Sequence, residues 1–130
     1  MRNIFKPGDQ KSFKRIVLES DCAIFNGELL HRVCSTFALA RDFEWSSRLF
    51  FLEMKDDDEE GVGTMLSIEH RSPAFIDEEI VFTATVETTI KNELICTIEA
   101  KVGERIIAVG KTGQKMLKRE KLRELFKSNY

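Results

Sequence analysis

The stretch CSTFALARDFEWSSRLFFLEM, residues 34–54, decides the fold because it is the one long helical segment before the C-terminal end. Ser35 or Thr36 can cap its start, since both side chains accept hydrogen bonds from the free N–H groups of a first turn. Much of the stretch is apolar, which predicts a helix that is buried on more than one side. The residues that recur at helical spacing are Phe37, Ala40, Phe43, Ser47, Phe50, Phe51 and Met54.

Around this helix the hydrophobic pattern changes to a period of two, which is typical of strands. Residues 12–20 are predicted to form a first strand, and residues 21–33 an irregular segment with a turn at Asn26-Gly27. The acidic run DDDEE at 56–60 is expected to be an exposed loop. Further strands are predicted at 62–70, 79–89, 93–102 and 105–117, and a short amphipathic helix at 117–128.

The last strands are joined by tight turns at Lys91-Asn92 and Val102-Gly103-Glu104. Such turns favour antiparallel neighbours, and one long apolar helix can lie in the concave face of a curved antiparallel sheet. This α+β arrangement is that of the hot-dog fold, with a short C-terminal helix added. We expect residues 1–130 to form one such domain, since the length suits one domain and not two.

Charge and composition limit the possible partners. The formal net charge is −2, which does not indicate general binding of nucleic acid. The charge is uneven, because residues 101–130 hold nine Lys/Arg against three Asp/Glu. This basic end is interpreted as a solvated helix, with a phosphate-binding or partner-binding surface as the alternative.

The cysteines and the apolar runs indicate a location in the cell. Cys22, Cys34 and Cys96 are odd in number and lack CxxC spacing, which favours reduced thiols and a cytoplasmic protein. No apolar run in the first ten residues resembles a signal peptide. No stretch approaches the roughly 20 apolar residues of a membrane helix, so we expect no membrane association.

Three residues are candidates for chemistry within this plan. Thr36 begins the helix, and Glu44 follows eight residues later on roughly the same side. His70 ends the strand 62–70 on the same face as Leu66 and Ile68. A hydroxyl group, a carboxylate and an imidazole together suit acyl transfer.

Each of these residues also has a plain structural interpretation. Thr36 can be only a helix cap. Glu44 can belong to a surface ion pair with Arg41 or Arg48, which lie three and four residues away. His70 can be a satisfied histidine at a strand end.

Other chemistries lack their motifs. His31 and His70 are far apart and the cysteines are not clustered, which argues against a zinc site. The chain has no phosphate-binding glycine loop and no GxSxG elbow. We therefore expect no metal and no tightly bound cofactor.

Four short segments occur at intervals that form a recognisable pattern: VCST (33–36), EW (44–45), GT (63–64) and SIEHRSP (67–73). In this pattern the chain resembles hot-dog acyl-CoA thioesterases of the fluoroacetyl-CoA thioesterase-like family, over about residues 15–117. The resemblance implies a homodimer that hydrolyses a small or medium acyl-CoA, with the coenzyme A ester as substrate. It places the catalytic triad on Thr36, Glu44 and His70. It places substrate binding on Gly63 and, in the segment GKTGQKM (110–116), on Lys115.

The chain departs from the family pattern at two places. Lys115 stands where the family usually has arginine, and Lys lacks the bidentate fork of a guanidinium group. The family's Pro-x-x-Gly turn after the histidine lacks its glycine here, and Asp77 can take the turn position. These departures keep two alternatives open: a hot-dog protein that binds an acyl-CoA without hydrolysing it, and a scaffold that binds a partner through the basic end. Nothing in the sequence indicates a fluorinated substrate.

The spacing of Gly63 and His70 raises a geometric problem. Seven residues of straight strand span about 23 Å, so the two residues cannot both contact one carbonyl group within a straight strand. Either the strand bends, or the site is assembled from two subunits. The resemblance implies a site at a dimer interface.

Overall fold

The computed structural model describes residues 1–127. In chain order its elements are β1 (Gln10–Ile16), a 3₁₀ turn (Glu19–Asp21), β2 (Cys22–Phe25), β3 (Glu28–Cys34), α1 (Thr36–Met54), β4 (Glu59–His70), β5 (Glu79–Ile90), β6 (Glu93–Val102), β7 (Arg105–Lys118) and α2 (Arg119–Lys127). Five strands form one antiparallel sheet in the order β1-β5-β6-β7-β4. The strands β2 and β3 form a separate hairpin.

The helix α1 lies across this sheet and contacts all five of its strands. It begins after Ser35, whose Oγ accepts a hydrogen bond from the Ala38 N–H at 3.0 Å. Phe43, Phe50 and Phe51 are at most 2% exposed, so the aromatic side of the helix fills the space above the sheet. A long helix held in a curved antiparallel sheet confirms the predicted α+β hot-dog fold.

The inner face of the sheet follows the predicted alternation. From Ile80 to Val86 in β5 and from Leu94 to Ala100 in β6, every second residue is at most 2% exposed, while the residues between them are partly accessible. Burial of this kind contributes about 1.5–3 kcal/mol for each large apolar side chain. The buried residues of the two strands are Ile80, Phe82, Ala84, Val86, Leu94, Cys96, Ile98 and Ala100.

The segment before the helix differs from the prediction. The first strand ends at Ile16 because the Asp21 carboxylate accepts a hydrogen bond from the Leu18 N–H at 2.9 Å and starts the 3₁₀ turn. Residues 21–33, predicted to be irregular, contain most of the β2–β3 hairpin. The predicted turn at Asn26-Gly27 is confirmed, with positive φ angles of 53° and 79°.

Three further expectations need correction. Glu59 and Glu60 begin β4 instead of an exposed loop, and Glu59 is 7% exposed because it pairs with the N-terminal ammonium group at 2.6 Å. Phe37 is 82% exposed, so α1 is covered on one side and open on another. The C-terminal helix begins at Arg119, and the last residue of the predicted span 117–128 lies outside the described residues.

The two edge strands of the sheet differ in character. The strand β1 carries three cations, Lys11, Lys14 and Arg15, and charges of this kind protect an edge from pairing. The strand β4 has no charged residue from Gly61 to Ile68. In the described part of the chain, no helix is both long enough and apolar enough to cross a membrane.

Candidate active site

Thr36 and His70 are brought together by the fold. Thr36 is the first residue of α1 and His70 is the last residue of β4. The Thr36 Oγ1 lies 2.9 Å from His70 Nδ1, which is hydrogen-bond distance. Because Ser35 caps the helix, the Thr36 hydroxyl is not used for capping and is available to the imidazole.

The other ring nitrogen of His70 has no such contact. Its Nε2 is buried and makes no hydrogen bond within residues 1–127. His70 lies on the inner face of β4, which it shares with Leu66 and Ile68, both packed against the core. When the proton is on Nε2, Nδ1 accepts from the Thr36 hydroxyl, and this is how a base activates a nucleophile.

Glu44 and Gly63 form a second pair. A Cβ atom built on Gly63 would lie 3.0 Å from Glu44 Oε1, so the carboxylate sits directly over this glycine. The β4–β7 register is shifted between Gly63 and Met65, a bulge that leaves Thr64 without an opposite residue. Bulges of this kind commonly re-aim groups beside active sites.

The ion-pair interpretation of Glu44 is wrong for the described residues. Arg41 pairs with Asp21 and Asp42 at 3.2 and 3.0 Å. Arg48 pairs with Glu60 at 2.6 Å. Within residues 1–127 Glu44 has no salt bridge, although an arginine stands three positions before it and another four positions after it.

The two pairs are separate within one subunit. Thr36 and Glu44 are eight residues apart on α1, which corresponds to about 12 Å along the helix axis. No hydrogen bond or ion pair in the described structure joins Thr36–His70 to Glu44–Gly63. A single subunit therefore presents the predicted residues as two separate pairs, which are called the two half-sites in the proposal below.

A pocket of about 230 Å³ opens beside Glu44 and Gly63. On the β7 side it is lined by Thr112, Gly113 and Gln114. Gln114 is 5% exposed and donates from Nε2 to Ser47 Oγ at 2.7 Å. The remaining lining residues are Arg41, Trp45 and Arg48.

Lys115 is not brought to this pocket. It is exposed, and it alternates with the buried residues Gln114 and Met116, so it lies on the outer face of β7. Its predicted role in substrate binding therefore has no support from its placement. Thr112 and Gln114 were not predicted from the sequence. They lie four and two residues before Met116, and because every second residue of a strand faces the same side, the pattern of β7 identifies them as inward-facing.

The loop after His70 is tied to the start of α1. The Cys34 N–H donates to the Ala74 carbonyl group at 2.8 Å, one residue before the cap Ser35. Asp77 has a φ of 72°, so it occupies the left-handed position that the sequence assigned to it in place of glycine. The Phe75 N–H donates to Glu78 Oε1 at 2.8 Å, and this bond lowers the pKa of Glu78.

The three cysteines are free and buried. Burial raises the pKa of Cys34 and of Cys96 to about 12, so neither is a ready nucleophile. In residues 1–127 no group of three or more His, Cys, Asp or Glu side chains is arranged to hold a metal ion.

A family model described as fluoroacetyl-CoA-specific thioesterase matches residues 17–120. The chain belongs to this family. The match confirms the predicted family and makes the chain an acyl-CoA thioesterase by membership. The comparison with curated proteins gives no match.

Solved structures of the thioesterase family and its fold share the architecture. A hypothetical protein of Thermus thermophilus, described as a thioesterase superfamily member, has 26% identity and a TM-score of 0.93 over 98% of this chain and 94% of that one. A variant of the fluoroacetyl-CoA-specific thioesterase FlK has 14% identity and a TM-score of 0.90 over 99% and 100%. A hot-dog-like protein from Thermanaerovibrio acidaminovorans has 17% identity and a TM-score of 0.89 over 97% and 93%. FlK structures with fluoroacetate and CoA, and with acetyl-CoA, are among these neighbours.

Proposed function

We propose that this family member hydrolyses a small or medium acyl-CoA to a carboxylate and free coenzyme A at a site built from two identical subunits. The observation that carries the proposal is the 2.9 Å contact between Thr36 Oγ1 and His70 Nδ1. A hydroxyl group that is hydrogen-bonded to an imidazole at the N-terminus of a helix is the arrangement of a nucleophile and its base. The bound CoA and acetyl-CoA in FlK support the substrate class.

In this proposal His70 moves the proton. When the Thr36 hydroxyl or a water molecule attacks, His70 takes its proton and then returns it to the departing CoA thiolate. When the Glu44 carboxylate attacks, it has no proton to give, and His70 takes one from the water molecule that splits the resulting anhydride. The Gly63 N–H is the donor to the thioester oxygen, because a glycine lets a backbone amide approach a substrate closely. The attacking group is the Thr36 hydroxyl, the Glu44 carboxylate, or a water molecule held by one of them.

Dimer formation along β4 brings the two half-sites together. The uncharged edge of β4 from Gly61 to Ile68 is suited to pairing with the same strand of a second subunit. In antiparallel pairing about a two-fold axis between Leu66 and Ser67, Gly63 stands opposite His70 of the partner subunit. This pairing closes a gap of about 23 Å along a single strand. Each site then combines Thr36 and His70 of one subunit with Glu44 and Gly63 of the other.

The test is release of free thiol from acyl-CoA esters of increasing chain length. We expect turnover by the native chain, with a loss of about 10²–10⁴-fold in kcat/KM for His70→Ala, since that is the usual contribution of a positioned base. Glu44→Gln is expected to lose activity comparably. His31→Ala is the matched control, because this histidine is exposed on β3 and belongs to neither pair. Binding of CoA esters without thiol release by the native chain would contradict hydrolysis.

Single turnover in isotopically labelled water identifies the attacking group. Label in the Glu44 carboxylate after turnover identifies an anhydride route through Glu44. An acyl group trapped on Thr36 identifies attack by the hydroxyl group. Label found only in the product acid, with no acyl-enzyme trapped, identifies direct attack by water.

A further inference from the structure

Thr112 carries a hydroxyl group that has no partner in the described residues. The residue is 1% exposed, and its Oγ1 is buried without a hydrogen bond. Native proteins satisfy nearly all buried polar groups, so an unpaired one points to a ligand or to an ordered water molecule. The proposed mechanism makes no use of this hydroxyl.

This hydroxyl lines the pocket that contains Glu44 and Gly63. On the β4–β7 ladder Gly63 is opposite Gln114, and Leu66 is opposite Thr112. Thr112 is therefore a diagonal neighbour of Gly63, at about 7–8 Å between Cα atoms. The pocket volume of about 230 Å³ is several times the roughly 30 Å³ that one water molecule occupies in the liquid. The space therefore accommodates several heavy atoms of a substrate.

The charges around the pocket favour a neutral polar occupant. Both guanidinium groups at the pocket already have carboxylate partners, Arg41 with Asp21 and Asp42, and Arg48 with Glu60. Glu44 has no cationic partner in the described residues. An acyl chain that ended in a carboxylate would therefore meet an uncompensated negative charge, whereas a hydroxyl group can both donate to and accept from Thr112.

We propose that the pocket receives a short acyl chain bearing a neutral hydroxyl group, which hydrogen-bonds to Thr112. This inference rests on the proposed thioesterase function and names its substrate class. Because Thr112 is a diagonal neighbour of Gly63, a thioester oxygen at the Gly63 N–H leaves the substrate hydroxyl only a few carbons along the chain, and the third and fourth carbons are the positions to compare. Thr112 is then a specificity-determining residue, and it leaves the bond-breaking chemistry to the other groups.

The test compares butyryl-CoA with 3-hydroxybutyryl-CoA, 4-hydroxybutyryl-CoA and succinyl-CoA. We expect the native chain to prefer one of the two hydroxybutyryl esters over butyryl-CoA in kcat/KM. Thr112→Val is nearly isosteric and lacks the hydroxyl, so it should lower kcat/KM for the preferred hydroxybutyryl ester more than for butyryl-CoA and reduce that preference about 10-fold or more. Thr112→Ser keeps the hydroxyl and should keep the preference.

The outcomes separate this inference from the function on which it rests. Absence of any hydroxyl preference in the native chain, which requires no variant to fold, would overturn the inference while butyryl-CoA turnover upholds the thioesterase. An equal loss for all esters in Thr112→Val would also overturn it, since that result assigns the hydroxyl to a water molecule or to the fold. Succinyl-CoA as the preferred ester would contradict the charge argument. If the native chain hydrolyses neither these esters nor any of the shorter and longer ones, the proposed function fails as well.

Discussion

At the scale of single residues, Gly63 is the position where the smallest change is most informative. Its Cβ would lie 3.0 Å from Glu44 Oε1, and its φ is not in the left-handed region, so the backbone tolerates alanine but the carboxylate must move. We expect Gly63→Ala to lower kcat/KM by about 10²-fold, since displacement of a catalytic group by 1 Å has that effect. Its melting temperature should change little. Thr64→Ala in the same bulge is the control, and full activity in Gly63→Ala would contradict the placement of Glu44.

The same scale shows why some site residues could be predicted and others could not. Thr36 and His70 can be predicted because their residue types suit acyl transfer and because their intervals match the family pattern. The sequence does not show which of Ser35 and Thr36 caps the helix, because the answer depends on which side chain accepts the hydrogen bond from the first turn. The family resemblance predicts substrate binding at Lys115, but a shift of one residue along a strand reverses the face, and the inward residue is Gln114.

At the scale of elements, the loop after His70 depends on one carboxylate. The Glu78 side chain accepts from the Phe75 N–H at 2.8 Å and from Arg105 Nη2 at 2.6 Å, and these bonds lower its pKa in the folded chain. A lowered folded pKa means that the stabilisation is present above the unfolded pKa of about 4.3 and is lost as the pH falls through the folded value. We therefore expect Glu78→Gln to lower the melting temperature at neutral pH, with a smaller difference in mild acid.

The measurement is thermal unfolding of both chains over a series of pH values. Glu79→Gln is the matched control, because the neighbouring Glu79 faces Lys14 at 3.7 Å on an exposed surface, where ion pairs contribute little. The difference in melting temperature between the native chain and Glu78→Gln could instead stay constant down to the lowest pH measured. That result would show that the effect comes from packing and not from ionisation.

The elements that the sequence predicted well are those with a strong period. The strands β5 and β6 alternate cleanly because one face is buried under α1, and their bounds agree with the prediction within one residue. The β2–β3 hairpin was missed since β3 is accessible on both faces for most of its length and therefore lacks an alternating pattern. The start of β4 was missed because its acidic residues are typical of loops, and a distant partner, the N-terminal ammonium group, holds Glu59 in place.

At the scale of the whole molecule, one subunit is half of the proposed machinery. Each subunit holds Thr36 with His70 and Glu44 with Gly63, but on separate parts of α1 and β4. The unpaired edge of β4 lies between them and carries Met65, which is 40% exposed, while Trp45 on the helix is 42% exposed. In the proposed dimer, an isologous contact through this edge would complete two equal sites.

This arrangement predicts that two inactive variants restore activity when they are mixed. In a dimer of one His70→Ala and one Glu44→Gln subunit, one site contains both substitutions and the other contains neither. Random exchange of equal amounts places half of the subunits in mixed dimers, so activity should return to about a quarter of the native value. The measurement is thiol release after denaturing and refolding the two variants together, with each refolded alone as the control. No recovery, although mixed dimers form, would mean that each subunit completes its own site and that β4 bends to bring Gly63 and His70 together.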